Sequence, residues 1–142
     1  MNDKKTGSKG RVIGLGGVFF RSPDKEALRN WYVNTLGMPD IDEPGVSFPI
    51  TIENTREKYA RTVWTIFEEK TDYFGPSKRD FMVNLMVDDL DAVLARAKAQ
   101  GAHLIGEPVT YEEYGKFGWV MDPEGTKIEL WEPPNRPKTD QN

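Results

Sequence analysis

Asp122-Pro-Glu-Gly-Thr-Lys-Ile-Glu-Leu-Trp-Glu-Pro133 is the stretch whose reading decides the fold. Its first four residues carry turn chemistry: proline presets φ at about −65°, and glycine accepts the positive φ of a tight reversal. Across residues 126–131 the side chains alternate, so Ile128 and Leu130 point to one face while Glu129 and Trp131 point to the other. Acidic side chains are rarely buried unpaired. Glu129 therefore has two readings: a residue facing water on a half-buried strand, or a candidate for chemistry in mid-strand.

Working back from this hairpin, Tyr111-Glu-Glu-Tyr114 and Gly115-Lys-Phe-Gly-Trp-Val-Met121 lead into it. Phe81–Val87 (FMVNLMV) reads as a strand, and Asp88-Asp89 opens a helix with Leu90, Val93, Leu94, Ala97 and Ala99 on its apolar side. Gly101 stops that helix. His103 follows in a short edge-like stretch and reads as a surface residue rather than a ligand. Residues 71–80 (TDYFGPSKRD) form a loop centred on Gly75-Pro76, whose Tyr73-Phe74 pair is expected to cover something. Two strands, roughly 46–53 and 61–68, precede it.

Nearer the start, Ala27, Leu28, Trp31, Tyr32 and Leu36 predict an amphipathic helix over 24–36. Ser22 is expected as its N-cap, with Pro23 at the first helical position and Gly37 ending it. Residues 12–20 (VIGLGGVFF) read as a glycine-rich strand. The cluster Gly14-Leu-Gly-Gly17 does not complete G-x-G-x-x-G, because position 19 is Phe and β-type residues follow where a helix should begin. Glycines inside a strand mark a bulge or a close backbone approach. Residues 1–10 read as a disordered polar arm and residues 134–142 as a flexible tail.

Composition narrows the classes of function. A chain of 142 residues fits one domain, or two small halves sharing a core. Hydrophobic content of 37% with 30% charged residues is ordinary for a soluble globular protein. With no cysteine there is no disulfide framework, thiolate zinc site or cysteine nucleophile. A single histidine cannot build a multi-histidine metal site in one chain. A net charge of −4 argues against nucleic acid as a partner. No run approaches the ~20 apolar residues that span a bilayer, so no membrane partner is expected. The start of the chain lacks a signal peptide's apolar core, so a cytoplasmic location is expected.

The chain also repeats itself. Asp89 lies 65 residues after Asp24, and Gly101 lies 64 after Gly37. Overlaying residues 81–131 on 16–66 puts strand on strand and helix on helix. The fold class is α+β: two tandem βαβββ modules, over 11–75 and 76–133, whose curved sheets side by side would enclose a cleft with the helices outside.

This double pattern and the ending DPEGTKIELWEP resemble the vicinal oxygen chelate superfamily, as do GGVFFRSPDKEALRNWYVNTLG and VDDLDAVLARAKAQGA. That superfamily includes glyoxalase I, bleomycin-resistance proteins and extradiol dioxygenases, and the resemblance covers about residues 12–133. It implies a pair of modules forming an incomplete barrel around a small-molecule cleft, commonly in a homodimer. In metal-using members the ligands come from the first and fourth strands of each module. Transferred here with a constant shift, those positions read Gly17, Trp64, Met82 and Glu129. Glycine, tryptophan and a thioether are not donors for a hard divalent cation. The expectation is therefore no metal and no cofactor. A register slip of two residues would substitute Thr62 or Ile66 for Trp64, and a slip of four would reach Glu68.

Strand alternation turns Met82, Asn84 and Met86 inward, along with Phe19, Trp64 and Trp131, while Tyr73, Phe74, Tyr114, Phe117 and Trp119 rim or roof the cavity. Such an aromatic, Met-rich lining with two polar handles, Asn84 and Glu129, suits a flat organic ligand. The same side chains could instead fill an ordinary core. Three functions follow. The first is a protein that binds a small, partly aromatic molecule, resembling bleomycin-resistance proteins. The second is a metal-free lyase or isomerase with Glu129 as general base and Asn84 and Tyr114 orienting the substrate. The third is a dimeric interaction module without a ligand.

Overall fold

The chain runs through strand β1 (Val12–Ser22), helix α1 (Lys25–Leu36), strands β2 (Val46–Pro49), β3 (Arg61–Glu68) and β4 (Phe81–Val87), helix α2 (Leu90–Ala99), and strands β5 (His103–Leu104), β6 (Val109–Tyr111), β7 (Gly115–Met121) and β8 (Lys127–Glu132). The computed structural model describes residues 10–40, 45–52 and 60–134. Its strands form one open sheet in the order β2-β3-β1-β4-β8-β7-β5, with β6 also on β7. In each half the first and last strands run parallel, β1 with β3 and β4 with β8. The halves join where β1 meets β4 antiparallel, so the repeats associate edge to edge within one chain.

The second half reads βαβββ with its edge strand broken: β5 pairs with Val120 and Met121, and β6 with Gly115, Lys116 and Phe117 of the same neighbour. In the first half two strands follow the helix among the described residues. The strand expected over 46–53 ends at Pro49, although the Ile50 N–H still donates to the Ala60 carbonyl at 3.1 Å. Residue 53 lies outside the described residues, as do most of both termini.

Local chemistry sets the helix ends. Asp24, rather than Ser22, caps α1: its carboxylate accepts from the Ala27 N–H at 3.1 Å. Ser22 stays in β1, paired with Glu68, and its Oγ accepts from the Asp24 N–H. Pro23 therefore precedes the helix. Gly37 closes it at φ 77°, where a glycine is free of the Cβ penalty. Asp89 caps α2 in the same way through Ala92 N–H, and Glu132 accepts from Leu90 N–H at 2.8 Å.

Both helices lie on one face of the sheet. On α2, Leu90, Val93 and Leu94 pack on Val87 and Leu130, with Leu85 and Ile128 alongside. Each such buried side chain contributes about 1.5–3 kcal/mol. On α1, Tyr32 packs on Phe20 and Trp64. The opposite face carries Phe19, Met82, Met86 and Trp131 in two further clusters, and it holds the site. Among the described residues no helix is long and apolar enough to cross a membrane.

Candidate functional site

The turn that opened the sequence reading aims β8. Asp122 Oδ1 accepts from the Glu124 and Thr126 N–H groups at 2.9 Å, and Gly125 takes φ 86°. Strand alternation then places Lys127, Glu129 and Trp131 on the inner face. Glu129 lies between Asn84 of β4 and Trp119 of β7 in the sheet register, and only 3% of it is exposed. Its carboxylate accepts three hydrogen bonds. Asn84 Nδ2 donates to Oε1 at 2.6 Å, Trp119 Nε1 donates to Oε2 at 2.8 Å, and the Tyr73 hydroxyl donates to the same Oε2. A carboxylate offers only acceptors, so it fixes the orientation of the Asn84 amide. Asn84 Oδ1 consequently faces away, and it is the one buried side-chain polar atom among the described residues without a partner.

Loop 71–80 supplies the Tyr73 donor and is strapped to the β7–β8 hairpin. Lys127 Nζ donates to the Tyr73 carbonyl at 2.6 Å, Ser77 Oγ to the Gly125 carbonyl at 2.7 Å, and Arg79 Nη2 to the Glu124 carbonyl at 3.1 Å. Lys127 is 7% exposed, and its ammonium lies 5.2 Å from the Tyr73 ring centroid and 5.9 Å from that of Trp119. Burial lowers the Lys127 pKa, opposed by the charges of Glu129 and Asp72. Burial raises the Tyr73 pKa well above the usual phenol range, reinforced by the Glu129 charge and the hydrogen bond to it. The phenol stays protonated and donates. Phe74, next to it, is fully buried against Phe19 and Met82, so the aromatic pair of this loop does cover the inner face.

Beside the network lies a cleft of about 520 Å³, lined by residues including Gly16, Phe19, Arg61, Thr65, Asn84, Tyr114, Phe117, Glu129 and Trp131. Phe117 and Trp131 form one wall, stacked at 12° with centroids 6.2 Å apart. Trp131 Nε1 donates to the Tyr114 carbonyl at 2.6 Å. The β1 register shifts between Leu15 and Gly17, a bulge at Gly16. A Cβ on Gly16 would lie 2.0 Å from Asn84 Oδ1, so only glycine gives the amide its room.

Of the residues expected inside, Phe19, Asn84, Tyr114, Phe117, Glu129 and Trp131 border this cleft. Tyr73 and Trp119 contact Glu129 instead. Met82, Met86 and Phe74 are fully buried packing. Trp64 is on the other face, 4.7 Å from the Tyr32 ring and 5.5 Å from that of Phe20. The reason is register. Asn84 is opposite Glu129, whereas Phe19, its counterpart 65 residues earlier, is opposite Thr65. A one-residue slip exchanges the faces of a strand, so Arg61, Val63 and Thr65 line the cleft. The signal was present: the two helix-ending glycines are 64 residues apart, not 65, and that shift carries Glu129 to Thr65. Lys127 was legible too, two residues before Glu129 on the same face.

Residues 17–131 match the glyoxalase-like domain family. The chain belongs to this family. Among solved structures it is similar to methylmalonyl-CoA epimerase from Mycobacterium tuberculosis, at 22% identity over 89% of this chain and 91% of that one, with a TM-score of 0.57. A glyoxalase/bleomycin resistance protein/dioxygenase superfamily member from Vibrio splendidus 12B01 is 16% identical over 86% and 97%, with a TM-score of 0.52. A structure described as an NAD-dependent benzaldehyde dehydrogenase from Legionella pneumophila is 13% identical over 82% and 97%, at 0.54. These likenesses establish the shared fold, and one fold hosts unrelated chemistries. No curated protein sequence matches the chain.

In this glyoxalase-like domain the four positions that would hold a family metal are Gly17, Thr65, Met82 and Glu129 once the register is corrected. A neutral hydroxyl, a thioether and a glycine beside one carboxylate do not fit a hard divalent cation. Among the described residues no group of three or more His, Cys, Asp or Glu side chains could hold a metal ion.

Proposed function

We propose that this glyoxalase-like domain binds a small, partly aromatic organic molecule in the Glu129 cleft, without a divalent metal and as a homodimer. One observation carries the reading. A buried carboxylate held by three donors lies at an open cleft whose wall is a stacked Phe117–Trp131 pair, the pairing of apolar walls with a few fixed polar groups that small-molecule sites favour. Its donor set supports metal independence. Dimerisation draws support from α1, which has no buried residue and leaves Trp31 and Leu36 exposed. A ligand-free module would fill the cavity with its own side chains, and the open cleft speaks against it.

The second reading, a metal-free lyase or isomerase with Glu129 as general base, has one observation in its favour. Oε2 takes two donors, but Oε1 takes only Asn84 and keeps a lone pair. Native mass spectrometry of protein purified without added metal or chelator tests the first reading. A metal-free dimer carrying an organic adduct is expected, and a stoichiometric divalent metal would overturn it. Glu129→Gln separates the two: a binder keeps its ligand within a few-fold, whereas a general-base enzyme loses about 10²–10⁴ in turnover.

A further inference from the structure

Two side chains bordering the cleft have hydrogen-bonding groups that no described residue meets, and they lie apart. Asn84 Oδ1 is buried without a donor, in a side chain locked the other way round by Glu129. Both Asn84 and Gly16, whose missing side chain gives Oδ1 its room, border the cleft. Arg61 is the second. Every other described arginine has a partner: Arg11 with Asp88, Arg21 with Asp80, Arg29 with Asp40, Arg79 with the Glu124 carbonyl and Arg96 with that of Gly10. Arg61, exposed at the start of β3, has none among the described residues, and it lines the cleft as a free cation.

Sheet geometry sets their separation. Gly17 pairs with Val63 on one side and Asn84 on the other, so β3 and β4 are two strand spacings apart, about 10 Å. Arg61 precedes Val63 by two residues, about 7 Å along the strand. The backbones of Arg61 and Asn84 are thus about 12 Å apart. A flat ligand of one or two rings with a polar group at each end is of this scale.

We infer that the cleft ligand is a flat aromatic anion carrying an N–H or O–H donor at its far end: its carboxylate, phosphate or sulfonate meets Arg61, and its donor meets Asn84 Oδ1. The inference rests on the ligand-binding reading above and adds polarity to it. Guanidinium recognises planar oxyanions through paired hydrogen bonds. The reverse orientation puts the anion against Glu129, where like charges repel, and leaves Arg61 and Oδ1 unpartnered.

Four fluorescent probes test this by titration: 6-amino-2-naphthoate, 2-naphthoate, 6-amino-2-naphthamide and 2-naphthamide. The first is expected to bind about tenfold tighter than either of the next two, one hydrogen bond's worth for each group. Arg61→Gln should erase the advantage of carboxylate over amide, and Asn84→Ala that of the amino group. Equal binding of all four probes would overturn the inference while leaving a ligand-binding cleft. Binding of none would remove that cleft reading and the inference with it. The ligand comparison on the unaltered chain decides the matter even where Asn84→Ala fails to fold.

Discussion

Replacing Glu129 with leucine tests the network at its centre. Leucine fills similar volume, so the outcome turns on what is left behind. Asn84 Nδ2, Trp119 Nε1 and the Tyr73 hydroxyl all lose their acceptor. Tyr73 is 37% exposed and can turn to water, but Asn84 is 3% exposed and cannot. An orphaned buried donor costs about 1–3 kcal/mol. Counting Asn84 and Trp119, Glu129→Leu is expected to lose about 2–6 kcal/mol, less whatever is regained by removing a buried charge. At roughly 3 °C per kcal/mol for a chain of this size, the midpoint falls by about 6–18 °C. Glu129→Gln should cost less. Its carbonyl can keep Trp119 and Tyr73, and its amide can donate to Asn84 Oδ1 once that side chain turns over, so that Asn84 Nδ2 is the one donor left without its acceptor. Thermal unfolding followed by tryptophan fluorescence gives both values. A Glu129→Leu protein within 1 kcal/mol of the parent, or no more affected than Glu129→Gln, would refute the reasoning.

Three further outcomes follow. Trp64→Ala strips the Tyr32 contact beneath α1, so urea unfolding should show a loss of up to about 3 kcal/mol while ligand affinity stays unchanged; a Trp64 lining the cleft would predict the reverse. Gly16→Ala sets a methyl 2.0 Å from Asn84 Oδ1, costing about 1–3 kcal/mol by overpacking, and chemical shifts of the Asn84 side-chain amide should report its displacement. Tyr73 titrates above its ordinary 10.0 in the folded state. Above that pH the unfolded chain has lost the proton that the folded chain retains, so stability falls with rising pH. Tyr73→Phe should flatten this fall between pH 10 and 12, and an unchanged slope would count against the burial of the hydroxyl.

The second half of the molecule was largely legible in its residues. Asp-Pro-Glu-Gly fixed the hairpin, alternation turned Glu129 and Trp131 inward, and Asn84 came with them because β4 alternates without interruption. Helix periodicity placed both helices. The first half was harder because its last strand has to be registered past α1, across which the repeat spacing changes from 65 at Asp24 to 64 at Gly37. Half a strand's side chains follow from that single residue. Periodicity gives the two faces of a strand, but long-range pairing decides which is inner, and Trp64, large and apolar, suits either. The Tyr73 bond to Glu129 lay beyond sequence reasoning for another reason. It depends on the course of loop 71–80, which no repeating pattern encodes.

The compensation of Glu129 explains how one buried carboxylate is tolerated beside Gly17, Thr65 and Met82. Burying an ion costs several kcal/mol unless it is paired or hydrogen-bonded. Hydrogen bonds to a charged acceptor return about 1.5–3 kcal/mol each, and three of them match that cost without a cation. Lys127, two residues away and facing the same interior, adds an attractive charge while its own bond goes to the Tyr73 carbonyl. Glu129 thus needs no ligand for its stability, and its donors hold it in one geometry. The unmet demand lies one bond further out, at Asn84 Oδ1, whose direction Glu129 dictates, and across the cleft Arg61 offers an exposed cation. A carboxylate that orients an amide toward an incoming group acts on specificity without touching the ligand. On that argument Glu129→Gln, by letting the amide turn over, should blunt discrimination between 6-amino-2-naphthoate and 2-naphthoate more than it weakens binding of 2-naphthoate itself.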